Sequence, residues 1–119
     1  MIRILVVDDH VSFRRALVSL LENQPDLEVV GTAGALSEAQ AMLEGVDVAL
    51  LHRRLPDGDG LELISAVREV NPGARVFVIS SAPEMLHPTD AIEAGADGVI
   101  DKIDTPERVF AAIRGQGGG

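Results

Sequence analysis

The chain has 119 residues, 46% of them hydrophobic and 24% charged, the size and balance of one domain with a substantial core. A formal net charge of −9 argues against nucleic-acid binding by this segment, because neutralising phosphates takes clustered Lys and Arg. Cys is absent, which removes disulfides and thiolate metal sites, and no apolar run is long enough to span a bilayer.

Ile2–Val7 reads as a buried strand, and Asp8-Asp9 interrupts it too early for a signal peptide. From Val11 to Glu22, Phe13, Leu17, Leu20 and Leu21 form one apolar helical stripe, which Gln24-Pro25-Asp26 stops. A Val-rich second strand covers Leu27–Ala33. Ser37 with Gln40 has the form of a capping box and predicts a helix ending near Gly45.

Asp47–Leu51 is the third strand, and His52 follows it directly. A helix is expected from about Gly60 to Val70, closed by Asn71-Pro72-Gly73. Arg75–Ile79 is the fourth strand. A poorly patterned stretch containing Pro88 leads to Gly95, and Gly98–Ile100 is a short fifth strand. The proline predicts a helix there that starts late or stays short. Thr105-Pro106-Glu107 is a strong helix start, with a hydroxyl cap, a first-turn proline and an acid near the positive dipole end. That helix runs to Arg114. Residues 115–119, four of them glycine, read as a flexible linker or terminal extension after a domain at 1–114. Five alternating β and α units imply a parallel sheet with helices on both faces. Ligands of such sheets sit beyond the carboxyl ends of the strands, so Asp8-Asp9 and His52 should meet there.

The turn after the third strand, Leu55-Pro56-Asp57-Gly58-Asp59-Gly60, resembles that of response-regulator receiver domains, the phosphorylated modules of two-component signalling. The resemblance runs from Ile2 to about Arg114. It implies a flavodoxin-like, doubly wound (βα)5 fold with strand order 2-1-3-4-5. Asp8 and Asp9 match the family's magnesium-binding acidic pair. Ser80 matches its phosphate-contacting Ser/Thr. Lys102, after Gly95-Ala96-Asp97-Gly98, matches its invariant lysine. His10, His87, Asp57 and Asp59 are read as surface or turn residues.

Three positions depart from the family pattern. The residue four before Pro56 is the family's phosphoacceptor aspartate, and here it is His52. An imidazole cannot form an acyl phosphate and removes an anionic ligand, so phosphorylation of His52 is not expected and Mg²⁺ binding at Asp8 and Asp9 should be weak or lost; no cofactor is expected. Val99 replaces the aromatic ring that swings inward on activation, and Pro88 falls in the output helix. Three readings of His52 stay open: a structural group hydrogen-bonded to Asp8 or Asp9, a transition-metal ligand with both, or a phosphate acceptor itself. Arg53 either folds over Asp9 or lies along the surface.

The resemblance therefore implies a regulatory receiver without enzymatic activity, working in phosphorelay-type signal transduction and transcription regulation through protein contact or homodimerisation. Its place is cytoplasmic, and DNA contact is left to a separate effector domain. The alternatives are a metal- or small-ligand-sensing receiver, or phosphorylation at a non-standard residue.

Overall fold

The computed structural model describes residues 1–80, 92–102 and 105–115, with the Ser80 side chain outside that set. Five parallel strands form the central sheet: β1 (Ile2–Val7), β2 (Leu27–Ala33), β3 (Val48–His52), β6 (Arg75–Ser80) and β7 (Gly98–Asp101). Their spatial order is β2-β1-β3-β6-β7. That is the flavodoxin-like 2-1-3-4-5 order once a small hairpin, β4 (Arg54–Leu55) with β5 (Gly58–Asp59), is left out of the count.

Strand alternation sorts the core onto two faces. Leu5, Val7, Ala49, Leu51, Val76 and Val78 pack with α2 (Leu36–Gln40) and α3 (Glu62–Val70). Ile4, Val6, Val48, Leu50, Phe77 and Ile79 pack with α1 (Val11–Glu22) and α4 (Pro106–Arg114). Both faces of the sheet are covered, which is why Ile4–Val7 of β1 and Val48–Leu51 of β3 read as unbroken apolar runs and not as alternating ones.

Helix ends follow local chemistry where such chemistry exists. Thr105 caps α4 by accepting from the Arg108 N–H, and Gly115 ends it in the left-handed region at φ 76°. Arg114 then ties this end to the α1–β2 turn through two 2.7 Å bonds to the Asp26 carboxylate. This guanidinium holds the Asp26 carboxyl below its ordinary range.

Three local expectations need correction. The Ser37–Gln40 capping box does not form: α2 ends at Gln40, its N-cap is Ala35, and no side-chain cap bond is made at that residue. The start of this helix is instead held from a distance by Asp57, whose oxygens accept from the Leu36 and Ser37 N–H groups at 2.7 and 3.0 Å. Beyond Gln40 the chain continues through three-residue turns, Ala41 to Glu38 and Met42 to Ala39. Second, α3 begins at Glu62, not Gly60, because the Gly60 N–H donates back to the Arg53 carbonyl at 2.6 Å. Third, the β4–β5 hairpin was not foreseen, and β3, β6 and β7 each run one residue further than expected, so His52 is itself a strand residue. The expectations for Pro88, His87 and the segment around them lie outside the described residues.

Candidate functional site at the carboxyl edge of the sheet

The site is built where β1, β3 and β7 end. β1 pairs with β3 from Ile4–Val48 to Val7–Leu51, so Asp8 and His52 leave the sheet side by side. β7 brings Lys102 to the same edge from across β6.

Asp8 is fully buried. Its Oδ1 accepts from the His10 N–H at 2.9 Å, and Arg14 Nη1 donates to its backbone carbonyl at 2.7 Å. Its Oδ2 has no hydrogen bond of acceptable angle, yet Lys102 Nζ stands 3.2 Å away. The two observations describe one contact: a close ion pair whose direction is poor for hydrogen bonding. The charge is compensated even though the lone pair is not well used, and in a buried setting the charge dominates.

Lys102 has two more neighbours. His10 Nδ1 is 3.1 Å from its ammonium, and the Phe13 ring centroid lies at 4.3 Å. An ammonium can only donate, so His10 Nδ1 is the acceptor and its proton resides on Nε2. His10, read from sequence as a surface residue, is exposed but belongs to this cluster. Its position directly after the two acids was the signal that could have placed it there.

His52 is nearly buried. Its Nδ1 lies 2.9 Å from the Arg54 carbonyl oxygen, which requires the proton on Nδ1. Asp9 Oδ1 is 3.8 Å away, beyond hydrogen-bond length. The expected bond from His52 to Asp8 or Asp9 is therefore replaced by one to its own loop. The rings of His10 and His52 stand edge to face at 6.2 Å.

Arg53 pairs with Asp59 at 3.3 Å. The cation beside the buried acid is Lys102, 3.2 Å from Asp8 Oδ2. Asp59 is a turn residue, as expected: its Oδ1 accepts the Leu61 N–H two residues on, just before α3. Asp57, with its two backbone donors at Leu36 and Ser37, is held below the ordinary carboxylate range by those bonds. Gly60 lies so close to β3 that a Cβ there would come 2.2 Å from the His52 carbonyl oxygen. Any other residue would push the loop off His52. Val99 pairs with Val78 in the sheet and packs, partly buried, on the α2–α3 side.

Among the described residues, one group of potential metal ligands stands out. Donor atoms of Asp8, Asp9 and His10 lie within 4.8 Å of one another. The third member is His10, where the sequence had suggested His52.

Comparison with known proteins gives this edge a context. Residues 4–114 match the family described as the response regulator receiver domain. The DNA-binding transcriptional activator DevR/DosR of Mycobacterium tuberculosis is 39% identical over the whole of this chain, and UhpA of Escherichia coli is 34% identical over 95% of it. The chain spans 56% and 57% of those proteins, somewhat more than half of each. Among solved structures, the receiver domain of the putative response regulator NarL from Mycobacterium tuberculosis has TM-score 0.78 and 33% identity, with 99% of this chain and 97% of that one covered. The beryllofluoride-activated NtrC4 receiver domain dimer has TM-score 0.80 and 31% identity, covering 98% of this chain and 96% of that one. The family match over nearly the whole chain and the shared sheet order give one conclusion: this chain belongs to the response-regulator receiver domains.

Proposed function

We propose that this chain is a receiver whose output does not depend on phosphate and is set by protein contact, including contact with a second copy of itself. His52 carries the reading. It stands at the phosphoacceptor position, where the family's chemistry needs a carboxylate oxygen, and an imidazole cannot supply an acyl phosphate. Its Nδ1 donates to the Arg54 carbonyl, so only Nε2 keeps a lone pair, and a phosphoryl group there would be a phosphoramidate and not the family's acyl phosphate.

Magnesium fits the remaining donors poorly. Mg²⁺ favours six oxygen ligands in an octahedron. Here one Asp8 oxygen is taken by a backbone N–H, the other faces an ammonium, and the third anionic position is an imidazole. Weak or absent Mg²⁺ binding follows. Lys102 gives the buried acid a fixed internal cation in its stead.

The wider role follows from the relatives. DevR/DosR is described as a DNA-binding transcriptional activator, and the NtrC4 receiver as a dimer. With net charge −9, this segment is suited to regulate and not to touch DNA, so we assign DNA contact to another part of a longer, cytoplasmic regulator. Among the described residues no helix is long and apolar enough to cross a membrane.

Incubation with acetyl phosphate and Mg²⁺, followed by intact mass spectrometry, tests the reading. No adduct is expected on the native chain. The His52→Asp variant should gain about 80 Da, one phosphoryl group. A stable adduct on the native chain, at His52 or elsewhere, overturns phosphate independence and points to a non-standard acceptor.

A further inference from the structure

We infer that the slot between α1 and α4 is a binding pocket for a small uncharged aliphatic alcohol or carbonyl compound. The slot has a volume of about 80 Å³ and is partly enclosed. Buried Leu50, Ile79 and Ile100 of the sheet form its floor, and Phe13 and Leu20 of α1 and Val109 of α4 line its sides. Such a pocket would bind its ligand whether or not the protein's output depends on phosphate.

Two features of the slot select its occupant. The first is its size and its hydrocarbon walls. An engineered apolar cavity of about 150 Å³ holds benzene, so roughly half that volume suits a short alkyl chain. Water is a poor occupant, because it needs about two to four polar partners and the floor and sides offer none. The second feature is the polar end, where Asp101 and Lys102 join the lining. They carry opposite charges, so the lining has no net charge to offer an ion. An ion would also leave water for walls that are mainly hydrocarbon.

Lys102 gives the pocket its hydrogen-bond donor. Its ammonium lies 4.3 Å from the centroid of the Phe13 ring, which is itself part of the lining. Among the described residues, His10 Nδ1 accepts from it at 3.1 Å, and the 3.2 Å contact with Asp8 Oδ2 is poorly directed. An ammonium carries more N–H donors than these contacts use well, so Lys102 can donate to a hydroxyl or carbonyl oxygen without giving up either neighbour. The rim is accessible at Leu20, 40% exposed, and at Ala16, a short exposed side chain of the same helix. Occupancy would bear on Lys102 and, through it, on the buried Asp8 at the sheet edge.

Titration of the isotope-labelled full chain with n-butanol, butyrate and butylammonium, followed by NMR, tests the pocket. Saturable shifts at Phe13, Leu20, Val109 and Lys102 are expected with n-butanol, at an affinity at least about threefold tighter than for either charged homologue. Ala16 is exposed, so Ala16→Val and Ala16→Leu should stay folded by circular dichroism while their side chains fill the slot. Butanol binding should weaken in that order, by at least about tenfold for leucine. Shifts that do not saturate, or a butanol affinity unchanged in both folded Ala16 variants, overturn the pocket. Butyrate or butylammonium binding as tightly as butanol overturns the uncharged class.

Discussion

β1 and β3 are neighbours that leave the sheet at the same edge, yet the loops that follow them are stabilised in opposite ways. The β3 loop is largely self-sufficient. Arg53 pairs with Asp59, Gly60 donates to Arg53, Leu61 donates to Asp59, and His52 donates to Arg54. The β1 loop contains a buried carboxylate whose charge is answered by Lys102, which arrives only when the last strand has joined the sheet. Short local bonds cost little chain entropy to form, whereas the Asp8–Lys102 pair closes a loop of nearly the whole chain. One exit is thus fixed by its own residues, and the other by completion of the fold.

Removing the distant cation should break this contrast most strongly. Lys102→Met leaves Asp8 buried without its partner and is expected to cost about 3 kcal/mol in urea unfolding at neutral pH. A loss below about 1 kcal/mol, the scale of an exposed pair, would mean that the β1 exit needs no closure of the sheet. At the β3 exit, Gly60→Ala forces a methyl group against the His52 carbonyl and should cost about 2 kcal/mol. Its mark on the His52 ring resonances should exceed its mark on Lys102, if the two exits are stabilised separately.

The smallest effect concerns the two bonds that tie the β3 loop to the start of α2. Asp57 has a carboxyl lowered by the N–H groups of Leu36 and Ser37. A group whose folded value is depressed contributes above its unfolded value and loses that contribution as pH falls through the folded one. Asp57→Asn should therefore lower the Tm by no more than about 4 °C at pH 7. The gap to the native chain should begin to narrow below pH about 4 and close as pH falls through the depressed folded value. A gap that persists in acid would show that the carboxylate charge does not matter to α2.

Much of the frame was legible because it rests on local pattern. The bounds of β1, α1 and β2 follow directly from apolar runs, one helical stripe and a Pro-Asp break. Helix α4 announced both ends, with Thr105-Pro106 and Gly115. Where the reading failed, the deciding partner lay elsewhere in the chain. Ser37 and Gln40 suggested a cap, but an aspartate from the β3 loop took that place. His10 is exposed, as read, but its contact with Lys102 was hidden because the two are 92 positions apart. His52 was expected to reach the acids, but a carbonyl two residues away was nearer and better aimed.

The sequence by itself determined which chemical groups are present: two acids after the first strand, an imidazole after the third, and a lysine after the last, in a chain whose apolar periodicity dictates an α/β sheet. Tertiary structure decided how those groups are shared out. Asp8 goes to Lys102 and His10, and His52 to its own loop. The reason is physical. A buried charge takes whichever opposite charge the closed sheet brings within a few ångströms, and that distance is not written in the order of the residues.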